Sequence, residues 1–157
     1  MPTIKSEIRI DAPKRKVWDV ISDLGGIQAY HPAVKKSYYI TNQRIETGAA
    51  RRCEFKQGGS IDERAILWRE GEEIVLELYN GNKMPPFKKG AFGRQTLRSD
   101  GKGTVLELLL KYDLKYGLAG ALMDRLIVRR RFEKMVPAVL ENLKSLVEGN
   151  HRARISA

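Results

Sequence analysis

Three short stretches carry the side chains best able to do chemistry. Tyr30 and His31 sit together at a turn beside two short helical segments. A histidine titrates near pH 7 and could act as an acid or base, or hydrogen-bond a ligand carbonyl. It could equally be a surface residue that packs or meets water. Glu63 follows Ile61 and shares an alternating face with Ile61, Ala65 and Leu67. A carboxylate on an apolar face either has its pKa raised by burial or pairs with a cation, here Arg51 or Arg94. A bulge, or an inward face of the opposite parity, would turn Glu63 outward instead. Cys53 shares its face with Phe55 and Arg51, and no histidine is placed beside it. It reads as a small buried hydrophobe rather than a nucleophile. Glu63 and His31 are therefore the catalytic candidates, if there is catalysis.

Other chemistries lack their residues. With His31 and His151 as the two histidines and Cys53 as the one cysteine, no zinc-type ligand set can be assembled. The sequence calls for neither a metal nor another cofactor. Gly90-Ala91-Phe92-Gly93 does not match a phosphate-binding loop. The net charge is +10, which favours acidic membranes, acidic proteins or nucleic acid as partners. Arg129-Arg130-Arg131 spans roughly 300° of helix surface, so these arginines cannot all face one way. Basic and aromatic residues do not interleave and no reader motif is present, which argues against nucleic acid.

These groups need a scaffold. The 157 residues, 42% of them hydrophobic, suit one domain with a sizeable core. The alternation of Ile4, Ser6, Ile8 and Ile10 with Lys5, Glu7 and Arg9 predicts a half-buried strand over residues 3–10. Pro13 suits the first turn of the helix that follows, and Gly25-Gly26 ends it. A second helical turn is expected within residues 27–32. Strands are expected over residues 34–42, 49–56, 61–68, 74–80, 91–99 and 104–115. Met84-Pro85-Pro86-Phe87 falls in a loop, because proline donates no ladder hydrogen bond. Asp100-Gly101-Lys102-Gly103 reads as a hairpin turn.

From residue 118 to 148 the apolar period becomes helical: Leu122, Leu126, Val128, Phe132, Met135, Val139, Leu143 and Leu146. Such a helix is about 45 Å long. Pro137 should bend it within one turn and leave the N-terminal side more mobile. Gly149 is expected to stop it, leaving residues 150–157 as a basic tail. One long helix covers only one face of a meander of six or seven strands, so the sheet must curl around it. The expected class is α+β. Neither an apolar leader nor a membrane-spanning run is evident, so a cytoplasmic location is the default.

Three stretches carry a family likeness. The first is Ile10-Asp11-Ala12-Pro13 with Val17-Trp18-Asp19-Val20-Ile21-Ser22-Asp23, followed by Tyr30-His31-Pro32. The second is Gly48 to Arg52 with Gly59 and Glu63-Arg64. The third is Leu140-Glu141-Asn142-Leu143-Lys144 with Val147-Glu148. Together they resemble the START-like (SRPBCC) superfamily over residues 3–149. That superfamily includes the polyketide cyclase/dehydrase, birch-pollen-allergen and lipid-transfer groups. The resemblance implies a helix-grip fold around a hydrophobic cavity, with Tyr30 and His31 at one lip. It does not fix an activity, because carriers, sensors and cyclases share the fold.

The first functional expectation is binding or transport of a lipid-like or aromatic molecule. Phe55, Leu76, Leu78, Leu108, Leu110 and Tyr112 would form the sheet wall. Leu122, Leu126, Phe132 and Met135 would form the helix side, with Phe87 in a gating loop and Tyr30, His31 and Glu63 as polar contacts. The alternatives are a cyclase/dehydrase-type enzyme, and a basic interaction protein docking on RNA, membrane or an acidic partner.

Overall fold

The secondary structure of residues 1–156 and the side chains of residues 1–150 are described by a computed structural model. Seven antiparallel strands form one sheet in the order β1-β7-β6-β5-β4-β3-β2. They are β1 (Thr3–Ile10), β2 (Val34–Tyr39), β3 (Ala50–Phe55), β4 (Ser60–Arg69), β5 (Glu73–Asn82), β6 (Phe92–Asp100) and β7 (Gly103–Lys111). α1 (Lys14–Ile21) and a 3-10 segment (Leu24–Ala29) follow β1. After β7 come α2 (Gly117–Met123), a π-helical turn (Asp124–Val128) and α3 (Arg129–Ser156). The sheet curls around the long helix, as the helix-grip expectation requires.

Each strand follows from its alternation. Ile4 lies opposite Leu110, Ser6 opposite Leu108 and Ile8 opposite Leu106, so one face of β1 continues the apolar face of β7. The next pairs, Leu110 with Gly93, Leu108 with Gln95 and Leu106 with Leu97, carry that concave face into β6. Gly101 takes φ +61° in the β6–β7 turn, a conformation that suits glycine.

Register shifts within β4, and one shift changes which residues face the core. β4 shifts between Ala65 and Leu67, so Trp68 comes to lie opposite Ile74. Ile61, Glu63 and Ala65 keep the concave face, while Leu67 is left 37% exposed. The extra residue of a bulge reverses the alternation beyond it. Trp68 packs edge-on against Trp18, and both indole N–H groups donate to Glu70, tying α1 to the β4–β5 turn.

The C-terminal helix departs from the expected pattern in two ways. The π turn interrupts its α-helical pattern at Asp124–Val128. Pro137 lies inside the helix, as expected, and is exposed. The hydrogen bond missing at Pro137 therefore lies on the water side, where the Glu133 carbonyl can be solvated. Finally, Gly149 does not stop α3, which extends to Ser156. Glycine inside a helix costs only about 1 kcal/mol relative to alanine. The side chains of residues 151–157, including His151, lie outside the described residues.

Candidate functional site

A polar cluster sits at one end of the concave face. Arg51 on β3 lies directly opposite Glu63 on β4. Arg51 is 2% exposed; its Nε donates to Glu63 Oε2 at 2.5 Å, and one terminal nitrogen makes an ion-pair contact with the same oxygen at 2.5 Å. Its other terminal nitrogen donates to the Leu24 carbonyl at 3.0 Å. Burial alone would lower the Arg51 pKa, but the charge and hydrogen bond of Glu63, with smaller contributions from Cys53 and Tyr30, together outweigh it and the net shift is upward. Glu63 Oε1 has no hydrogen-bond partner among the described residues. Cys53, on the same face, is kept a thiol: burial pushes its pKa up to about 12, with the Glu63 charge acting in the same direction. A nucleophilic role is therefore disfavoured.

Tyr30 and His31 close over this pair. Tyr30 is 3% exposed and its carbonyl accepts from Asn142 on α3, which fixes it against the long helix. Its buried hydroxyl has no partner. Burial pushes its pKa up to about 12, partly offset by Arg51 and reinforced by Glu63. His31 Nδ1 accepts from the Ala33 N–H at 3.2 Å, which places the proton of the neutral ring on Nε2. Burial lowers the His31 pKa to about 4, with Glu63 opposing and Arg51 adding to the shift. At neutral pH the cluster thus offers Glu63 Oε1 as an acceptor, and the Tyr30 hydroxyl and His31 Nε2–H as donors.

This shift has a pH consequence. The folded pKa is depressed, so below about pH 6.5 the unfolded chain takes a proton that the folded chain refuses. His31 should therefore withdraw stability as pH falls from about 6.5 to about 4, by at most about 1.4 kcal/mol per pH unit. Urea unfolding of the wild type and His31→Asn across that window measures the difference. An imidazole NMR titration with a His31 midpoint at 6 or above would contradict the geometry.

Beyond the polar cluster the interior is apolar and divided. One packed cluster centres on Ile10, Trp18, Ile74, Leu97, Leu106 and Leu143. A second gathers Ile4, Leu110, Tyr112, Leu114, Val128 and Val136. Leu78, Phe87, Leu108 and Met135 touch both clusters, yet none is fully buried. Gln95, opposite Leu108 on β6, has a buried and unpartnered Oε1. Sequence reasoning missed Gln95, although its place between Gly93 and Leu97 on one alternating face was the available signal.

Of the named wall residues, Leu76, Leu110 and Tyr112 are buried, and Phe55 and Phe132 are partly buried. Tyr112, Phe87 and Phe132 form an aromatic trio with centroid separations of 5.2–6.2 Å. Burial, then the hydrogen bond to Asp124, raises the Tyr112 pKa. Leu122 and Leu126 do not belong to the wall: they are 59% and 51% exposed. The inward positions are Gly120, Asp124 and Val128, two residues away and so roughly 200° around the helix. A Cβ on Gly120 would stand 2.0 Å from the Lys115 carbonyl oxygen, so only glycine permits this approach.

A separate groove of about 570 Å3 is walled by Ile45, Glu46, Thr47, Trp68 and Glu70. It is open to solvent, and its Glu70 carboxylate already accepts from both indoles. Its chemistry fits an apolar ligand poorly.

Fold and site together define a helix-grip domain whose concave face is apolar and carries one polar cluster. The family described as polyketide cyclase/dehydrase and lipid transport matches residues 1–148, and the chain belongs to that family. No curated protein matches it by sequence. Among solved structures, the Zhui aromatase/cyclase from a Streptomyces species is similar at 15% identity and a TM-score of 0.82, covering 98% of this chain and 97% of that one. A Thermus thermophilus protein, TTHA0849, is similar at 21% identity and a TM-score of 0.78, covering 95% and 99%. Ara h 8.0201 is similar at 11% identity and a TM-score of 0.73, covering 93% and 97%. At these identities the likenesses establish the shared fold. No helix among the described residues is long and apolar enough to cross a membrane.

Proposed function

We propose that the protein binds a small hydrophobic molecule, lipid-like or aromatic, between the sheet and the long helix. One observation carries this reading. Leu78, Phe87, Leu108 and Met135 pack against both apolar clusters, yet keep accessible surface. Apolar side chains in that position normally pack until nothing reaches them. The ligand would lie along these four residues, and its polar end would meet Tyr30, His31 and Glu63. An apolar wall with a few convergent polar groups is the usual form of such sites.

Uptake of a fluorescent fatty-acid analogue tests the reading. Leu108→Trp should fill the space and weaken uptake by at least ~10-fold while the fold is retained. Equal uptake by a folded Leu108→Trp protein would sink it. Native mass spectrometry of protein purified without added ligand identifies the class of molecule retained.

The polar cluster also favours a second reading, a cyclase or dehydrase acting on a polyketide-like substrate. A carboxylate, a phenol and a neutral imidazole lie within electrostatic reach of one another. Such chemistry needs a base and an oxyanion stabiliser that converge on the substrate. Turnover of an aromatic polyketide mimic that is lost in Glu63→Gln and His31→Ala would select it over simple binding.

A further inference from the structure

The turn from β7 into the long helix leaves an unusual surface. Leu118 is 91% exposed, Leu122 59%, Leu126 51% and Ile127 53%. These four aliphatic residues stand out because their own helix already presents Gly120, Asp124 and Val128 to the protein. Cations surround them: Lys115, Arg125, Arg129 and Arg130 are all exposed. Between residues 115 and 132 the sequence holds one carboxylate, Asp124. It is 5% exposed and engaged by Tyr112 and Arg129, so it does not offset the surface charge. Lys89 adds to the same side, because the Lys88 and Lys115 amides bind the Asp113 and Pro86 carbonyls and hold the two loops together.

We propose that α2 and the π turn form a docking surface for an anionic lipid bilayer. The leucines and Ile127 enter the boundary between headgroups and acyl chains, and the arginines pair with lipid phosphates. An exposed aliphatic ridge flanked by cations is the arrangement that such a boundary selects. A second copy of the chain fits worse, because a symmetric contact through this ridge would bring two sets of arginines together. Nucleic acid fits worse too, since the ridge offers aliphatic rather than aromatic or hydrogen-bonding groups. Tyr116 and Gly117, both at positive φ, form the joint from which the segment departs.

Cosedimentation of the full chain with vesicles tests the proposal. Vesicles of phosphatidylcholine with one quarter phosphatidylglycerol should bind the wild type, and pure phosphatidylcholine should bind it at least ~10-fold more weakly. Leu122→Asp/Leu126→Asp and Arg125→Glu/Arg130→Glu should each weaken binding by at least ~10-fold. Because these side chains lie in solvent, both double variants should keep the wild-type melting temperature. They should also take up the fatty-acid analogue normally in vesicle-free buffer, which separates this surface from the interior site. Equal partitioning of the Leu122→Asp/Leu126→Asp protein overturns the proposal. So does a wild-type dimer in sedimentation velocity that this variant abolishes, since the ridge would then be a contact between copies.

Discussion

Replacing Arg51 by methionine should destabilise the fold by about 3–5 kcal/mol, because it breaks a buried ion pair from one side. Arg51 is 2% exposed, and its guanidinium makes two contacts with Glu63 Oε2 and one with the Leu24 carbonyl. Methionine fills much of the same space but donates nothing. Glu63 would be left among Ile61, Ala65 and Leu78 with its charge uncompensated, and the Leu24 carbonyl would lose its donor. Arg51→Met/Glu63→Leu removes both charges and should recover most of the loss, since apolar pairs often replace buried ion pairs at little cost. Urea denaturation of the four proteins in this cycle yields the coupling. If the double variant were no more stable than Arg51→Met, the pair would not be a self-contained unit. The same double variant should still accept a purely apolar probe but lose preference for one with a polar head. That outcome would show the pair is kept for orientation rather than for stability.

The strands and their faces were largely legible because the side-chain period of two is local. Ile4 to Ile10 and Leu106 to Leu114 each show which face is apolar, and their pairing follows. The position of Glu63 on the concave face could be read the same way, and the partner Arg51 was one of two cations at hand. Legibility failed where tertiary contacts overrode the period. Leu67 turned outward because β4 bulges after Ala65, and no residue there announces a bulge. Leu122 and Leu126 form a genuine helical stripe, but it is the stripe facing water. The buried stripe contains Gly120 and Asp124, which hydropathy alone ranks as poor core residues. Gly120 is inside because the Lys115 backbone comes too close for any side chain. Asp124 is inside because Tyr112 and Arg129 satisfy it. On the convex face, Asp62 is buried with Arg52 and Asn80 as partners, a network that sequence spacing does not reveal. Polar groups enter a core when partners from distant strands or helices meet them, and such meetings are not encoded in any window of neighbouring residues.

Tyr112→Phe should loosen the segment over residues 117–131 while leaving the rest of the sheet almost unchanged. Tyr112 is 0% exposed, and its hydroxyl donates to Asp124 Oδ1 within the π turn. The substitution keeps the ring, and with it the packing on Phe87 and Phe132. What disappears is the one donor that ties Asp124 to the end of β7. Asp124 would retain Arg129, whose Nε lies 3.5 Å from Oδ2. A hydrogen bond to a charged group is worth about 1.5–3 kcal/mol. The loss should fall on local opening, because the segment is anchored elsewhere by few buried residues. Val139, Leu140, Leu143 and Val147 anchor α3 in the other packed cluster. Amide exchange over residues 117–131 should therefore speed up by roughly 10- to 150-fold, which is that energy range expressed as an opening constant. Exchange in β3 and β4 should not change. The boundary between fast and slow exchange should fall just past the π turn rather than at Pro137, since α3 runs through the proline and is anchored immediately beside it. A hydrophobic ligand that packs on Phe87, Phe132 and Met135 should slow the exchange again in wild type and variant alike. Uniform protection from residue 117 to 147, indifferent to both the substitution and the ligand, would show that the Tyr112–Asp124 contact does not latch this segment.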